Sequence, residues 1–277
     1  MPSLACPSLS TPRGFNPAVW GPPMWALLHA VAWGYPIRER ERGASTRHAE
    51  IRQDLARFLR SLQYVLPCST CCKNYSRLIR GGATKRRASP LPAAERRACR
   101  LTSAALETRG TLTRWMHHLH DCNRTIHGKR RVVSFQGAAA TYGSAEARRR
   151  VWDDHGLQVL CYVVWNYPAR PASENVRVAA YRDFFRALPA RVPRDTNPEI
   201  WHTSVSMARL FGRSGRPPSR EAAARHLIRA YGTANRWGEG DIARTFARVC
   251  AHMDRVRPRS PGAGAGAGAG ASDRLGK

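Results

Sequence analysis

The chain has 277 residues, 43% hydrophobic and 8% aromatic, which suits one or two globular domains of modest core. No window approaches the roughly 18 consecutive apolar residues of a membrane span, and Met1 to Gly14 hold no hydrophobic run, so neither a span nor a secretory leader is expected. The net charge of +27 is nearly all arginine, but the runs Arg38-Glu39-Arg40-Glu41-Arg42 and Ala147-Arg148-Arg149-Arg150 lack interleaved aromatics, and solvated helix faces are favoured over a nucleic-acid module.

Residues 1–17 read as a flexible arm carrying a single cysteine, Cys6. Gly21-Pro22-Pro23 then reads as a helix entrance, because proline is tolerated in a first turn. Trp25, Leu28, His29 and Ala32 share one face of that helix, and Tyr35-Pro36 ends it. After a charged loop, Ile51, Leu55, Phe58, Leu62 and Val65 recur at helical spacing and lead into Pro67-Cys68-Ser69-Thr70-Cys71-Cys72. If this motif opens a new helix, Cys68 and Cys71 lie one turn apart within disulfide reach. The helix N-terminus then favours a thiolate at Cys68.

Residues 80–100 read as a basic loop. A third helix begins near Thr111 with Leu112, Trp115, Met116 and Leu119 on its apolar side. His120, Asn123, Arg124 and His127 follow at i, i+3, i+4 and i+7, so one face is polar, and Gly128 is a helix stop. By themselves the thiols fit two chemistries. One is a redox pair. The other is a zinc-binding interaction domain, drawing on Cys68 and Cys71 with His120 and Cys122, or on the adjacent Cys72, His117 and His118. Cys99, Cys161 and Cys250 read as structural or incidental.

Taken together, three ordered blocks resemble the Erv/ALR family of FAD-linked sulfhydryl oxidases, in particular divergent members from large DNA viruses. They are Trp20-Gly21-Pro22…Trp25…Leu28-His29…Tyr35-Pro36, then Pro67-Cys68…Cys71, then Trp115…His120…Gly128-Lys129. The resemblance covers roughly residues 18–130. It implies an all-α bundle holding FAD, with the Cys68–Cys71 disulfide as redox centre. It also implies flavin or adenosine contacts from Gly21, Trp25, His29, Tyr35, Cys71 and His120, and from Lys129 at the phosphates. The implied reaction oxidises a protein dithiol, or a thiol–disulfide carrier, and passes electrons to O2, giving H2O2.

The chain departs from the family in its third block. The pattern H-N-x-V-N is His120-Asp121-Cys122-Asn123-Arg124 here, so Asn123 is displaced by one position and Arg124 is available to a phosphate. A cysteine three residues before that histidine is His117, and the 80–110 loop is long.

The first helix recurs. Val151-Trp152…Leu160…Val163…Trp165…Tyr167-Pro168 repeats Val19-Trp20…Leu28…Val31…Trp33…Tyr35-Pro36 at an offset of 132. Phe184, Leu188 and Pro193 repeat Phe58, Leu62 and Pro67 at 126. Arg194 and Asn197 then stand where Cys68 and Cys71 do, while Leu157 and Cys161 replace Trp25 and His29. The reading is therefore an oxidase domain over 18–130, a basic linker over 131–150 and a degenerate helical copy over 151–255. The copy pairs with the first domain as an intramolecular pseudo-dimer, with helices near 220–233 and 240–253. A disordered Gly/Ala tail covers 256–277. With no leader, the expected compartment is the cytoplasm.

Overall fold

The first helix, α1 (Pro17–Trp33), starts one turn before the Gly-Pro-Pro entrance, because a stronger start signal lies upstream. The Asn16 side chain accepts from the Ala18 N–H at 3.0 Å, and Pro17 occupies the first helical position. Pro22 and Pro23 consequently lie inside α1, where each lacks the N–H that would bond four residues back. The structure, a computed structural model, describes residues 6, 14–37, 45–82, 91–129, 134–169, 171–212 and 217–256. The expected Gly/Ala tail beyond 256 and most of the expected N-terminal arm lie outside these residues.

The described residues hold eleven α-helices and no strand, an all-α bundle. Helix α2 (Thr46–Val65) is capped by Ser45 and ends where Leu66, preceding Pro67, turns extended. Helix α3 (Ser69–Arg80) stops at Gly81, whose φ of 68° is a left-handed cap open to glycine at no steric cost. The described part of the stretch expected as a loop over 80–110 is partly helical. It contains α4 (Ala93–Ala98) and a 3-10 turn, Ala104–Leu106. Helix α5 (Arg109–Ile126) opens with a reciprocal cap between Thr108 and Thr111, just before the expected start.

The stretch expected as a basic linker also folds. Helix α6 (Phe135–Tyr142) lies in it, and α7 (Ala145–Trp165) begins there. Next come α8 (Asn175–Ala187) and α9 (Pro198–Gly212), then α10 (Arg220–Ala234) and α11 (Glu239–Arg255). The last two cover the expected helices, whereas α9 was not singled out by the sequence pattern.

Helix α1 packs on α7 and α5, α2 packs on α8 and α3, and α9 packs on α8 and α10. Helices that match in sequence thus lie directly against each other. Phe58 and Phe184, equivalent at the offset of 126, meet across the α2–α8 seam with ring centroids 5.2 Å apart, both 0–1% exposed. One continuous apolar cluster spans both halves of the chain.

Within the expected N-terminal arm, the described residues Cys6, Phe15 and Asn16 are tied to the bundle. Cys6 forms a disulfide with Cys250 of α11, with Cα atoms 5.5 Å apart, which corrects the reading of Cys6 as a single thiol and gives Cys250 a structural role. Phe15 is buried edge-on against Tyr162, its N–H donates to the Pro67 carbonyl at 2.8 Å, and the Asn16 N–H donates to Val256 O. Several arginines also work inside the bundle. Arg220, 3% exposed, donates to Tyr167 O, and Arg109 donates to Tyr35 O at 2.6 Å.

Truncating either ring of the seam removes a fully buried aromatic group that cannot be refilled. Phe184→Ala is expected to cost about 3–5 kcal/mol in urea unfolding, and its effect should not add to that of Phe58→Ala. Full additivity would show that the two rings do not depend on each other.

Candidate functional site

The Pro67–Cys72 motif takes its shape from a proline-terminated helix running into a new one. Pro67 forbids continuation of α2, and Cys68 becomes the N-cap of α3, with its Sγ accepting from the Cys71 N–H at 3.2 Å. Cys68 and Cys71 are joined as a disulfide, with Cα atoms 5.1 Å apart. Cys68 and Cys71 are half-buried, whereas Ser69 and Thr70 between them are exposed. On reduction, a Cys68 thiolate would face the first-turn N–H groups and the positive end of α3, both of which favour the anion.

Helix α3 packs on α5, which carries the second part of the site. His120 of α5 stacks on Trp25 of α1, with ring centroids 4.1 Å apart and planes 6° from parallel. Its Nδ1 lies 3.1 Å from His29 Nε2, and the other face of the arrangement is closed by Tyr142 of α6, stacked on His29 at 5.0 Å and 10°. Three residues expected from sequence, Trp25, His29 and His120, therefore meet. Tyr142 completes the cluster and was missed, because the Ala-rich stretch around it reads as linker.

Both imidazoles are held neutral. Burial lowers His29 to about 4, with a smaller push from His117. Burial, then His29, Arg124 and His117, lower His120 to about 3. His29 is 4% exposed, and its Nδ1 has no hydrogen-bond partner among the described residues. An unpartnered buried ring nitrogen costs free energy, so a ligand that supplies a donor or acceptor there has something to gain.

The remaining expected residues are placed as follows. Gly21 sits on α1 with nothing within 4 Å of where a Cβ would be. Tyr35 is buried in the core, its hydroxyl donating to Leu106 O at 2.8 Å, and burial raises its pKa to about 12. Asn123 and Arg124 are half-buried on the last turn of α5. Lys129 is exposed just beyond it, its N–H returning to Arg124 O at 2.9 Å.

The zinc alternative does not assemble as expected. Cys68 and Cys71 are bonded to each other, His120 is stacked on Trp25, and Cys122 turns instead towards His118 and Cys99. Proline-directed capping and the α3–α5 packing send these groups to different places, which the sequence spacing alone does not reveal. Cys72 donates to Leu66 O at 3.3 Å and lines a cavity of about 410 Å³ between the halves, with Ser69, Lys73, Arg77, Asn166 and Arg177 on its walls.

With this geometry in view, one comparison bears on the chain. Over 118 residues it is 30% identical to the protein named "Probable FAD-linked sulfhydryl oxidase" from Acanthamoeba polyphaga mimivirus. The match supports a distant relation to that protein. It spans 43% of this chain and 65% of the viral protein, a little under two thirds of its length. No family model matches the chain, and no solved structure matches it. Among the described residues no helix is long and apolar enough to cross a membrane.

The depressed His29 pKa fixes the sign of a pH effect. The unfolded chain binds a proton at His29 near pH 6.5, whereas the folded chain resists it down to about 4. Stability is therefore expected to fall as the pH drops from 6.5 to 4, by roughly 3 kcal/mol from this group. Urea midpoints at pH 7 and pH 4.5 measure it, and His29→Asn should reduce the difference without abolishing it, because His120, lowered to about 3, adds a contribution of the same sign. An equal slope in that variant would remove His29 as the cause.

Proposed function

We propose that the chain is an FAD-dependent sulfhydryl oxidase that makes disulfide bonds in protein dithiols through Cys68 and Cys71. The observation that carries this reading is the Cys68–Cys71 disulfide, at the start of a helix packed on the helix that presents His120 to Trp25 and His29. A zinc-binding module and a basic nucleic-acid binder explain neither the bonded pair nor the aromatic cluster.

The chain's own residues support the following sequence. A substrate thiolate attacks the disulfide at Cys68, the partner that caps α3. A mixed disulfide forms, and Cys71 leaves as a thiolate. The second substrate thiol, deprotonated, attacks the substrate sulfur of the mixed disulfide. The substrate departs as a disulfide and Cys68 as a thiolate, favoured by the Cys71 N–H and the α3 N-terminus. Bound FAD would supply the two-electron acceptor that restores the Cys68–Cys71 disulfide, with O2 as final acceptor, giving H2O2.

The residues present suit such a cofactor. Trp25, His29 and His120 offer flat faces, and His29 Nδ1 is a buried polar atom lacking a partner. The α1 surface at Gly21 is open, and Arg124 and Lys129 supply positive charge at the end of α5. Asn123 lies on the same turn. Tyr35 acts on this reading by holding the exit of α1 through Leu106 and Arg109.

The second half is read as a degenerate copy that braces the first as an internal pseudo-dimer. At the position equivalent to Cys71, Asn197 is 1% exposed and donates to Arg149 O and to the Asp153 carboxylate of α7. Asp153 is the counterpart of Gly21 at the offset of 132. The copy thus has a polar contact at positions where the first half has a thiol and an open helix surface.

Purified protein tests the function directly. It is expected to absorb at about 450 nm, to bleach anaerobically with dithiothreitol and to recover in air. The Cys68→Ser/Cys71→Ser variant should keep the flavin while losing dithiol oxidation by about a thousandfold or more. A colourless protein, or undiminished oxidation by the double variant, would overturn the reading.

A further inference from the structure

Cysteines 99 and 122 take no part in the proposed chemistry, yet the fold brings them together with a histidine. Cys99 follows α4 as its C-cap, and its carbonyl accepts from Trp115 Nε1 at 3.1 Å, which fixes its position against α5. His118 and Cys122 lie four residues apart on α5, so they share one face and point at the same neighbour. Cys99 and Cys122 are 0–1% exposed, and the three ligand atoms all lie within 4.8 Å of one another. Cys122 Sγ stands 3.5 Å from His118 Nε2.

This is the ligand chemistry of a soft or borderline divalent ion. With metal–sulfur bonds of about 2.3 Å and a metal–nitrogen bond of about 2.0 Å, the edges of a tetrahedral site run to roughly 3.5–3.8 Å. The Cys122–His118 edge already has that length, and the group needs only a small contraction to close on an ion. An oxygen is also at hand. The Glu95 carbonyl lies 3.1 Å from His118 Nε2 and 4.0 Å from Cys122 Sγ. Without an ion, His118 spends its Nε2 proton on that carbonyl, and Cys99 and Cys122 share a hydrogen bond. Polar groups this well assembled in a buried place are more than packing requires, since small apolar residues would fill the same space at no desolvation cost.

We infer that Cys99, His118 and Cys122 form a structural zinc site that clips the segment after α4 to α5. The ion takes both sulfurs as thiolates and Nε2 of a neutral His118, releasing two protons in all, and its fourth position is filled by oxygen, from Glu95 or water. No electron transfer is involved. Because α5 also carries His120, the clip steadies the helix that presents the aromatic cluster. The inference does not depend on the oxidase reading, since neither Cys68 nor Cys71 is a ligand.

Metal analysis of the full chain, purified without chelators, is the test. About one zinc per chain is expected, with Cys99→Ser and Cys122→Ser each losing it and His118→Asn binding at least tenfold more weakly. Cys72→Ser and the Cys68→Ser/Cys71→Ser variant should retain the zinc whether or not flavin is bound, which separates this test from that of the oxidase. Should the ligand variants fail to fold, the wild-type chain suffices. Replacement of zinc by cobalt should give a thiolate-to-cobalt charge-transfer band and tetrahedral visible absorption. Metal-free protein that takes up no added zinc after reduction would overturn the inference. So would a Cys99–Cys122 disulfide found by mass spectrometry in the protein as isolated.

Discussion

Three backbone carbonyls just before Cys68 accept hydrogen bonds from elsewhere in the chain, and these bonds brace the geometry of the motif. Arg177 of α8 donates to Tyr64 O at 3.3 Å, Asn166 donates to Leu66 O at 3.0 Å, and the Phe15 N–H donates to Pro67 O at 2.8 Å. Tyr64 lies in the last turn of α2, whose final carbonyls have no partner within the helix, and Leu66 and Pro67 lie just beyond its end. Left unpaired in a buried place the three carbonyls would be costly. Residues 100 or more positions downstream, together with Phe15, thus brace the break that Pro67 imposes between the end of α2 and the Cys68 cap of α3. The Phe58–Phe184 contact and the shared core hold α8 in place to do so.

The aromatic cluster is a second constraint with a different origin. Trp25, His29, His120 and Tyr142 come from three helices, and burial, with smaller pushes from neighbouring basic groups, keeps both imidazoles uncharged. Two adjacent imidazolium ions would repel each other in a site with little water. Neutral rings can stack, and they leave one nitrogen, His29 Nδ1, without a partner. That combination of flat faces and an unmet polar atom is what a planar heteroaromatic ligand can use.

The large positive charge also has an internal component. Arg109, Arg177 and Arg220 each donate to the carbonyl of a residue at or near a helix end in another part of the chain, and Arg191 is buried deeply enough that its pKa is lowered. Others make i,i+3 or i,i+4 pairs on exposed faces, such as Arg150–Glu146 and Arg244–Asp241, which are worth little individually. Arginine in this chain therefore serves partly as a cap for carbonyls that helix geometry leaves open.

The local chemistry was largely legible in the sequence. Helical periodicity located α2, α5, α7, α10 and α11. Proline followed by CxxC predicted a helix break and two thiols within disulfide reach, because both depend only on residues near in sequence. The meeting of Trp25, His29 and His120 came from the family resemblance, which carries tertiary information that periodicity lacks. The Cys6–Cys250 disulfide, Tyr142 in the cluster and the Cys99–His118–Cys122 group were not legible. Each joins elements whose own patterns are weak or remote: a short arm, an Ala-rich helix, a six-residue helix. Sequence alone determined where the thiols, helix ends and apolar faces are, since those follow from spacing and side-chain type. Which thiol meets which partner was decided only by the packing of α5 on α1 and of the two halves across α2 and α8. Burial, and not order along the chain, chooses neighbours there.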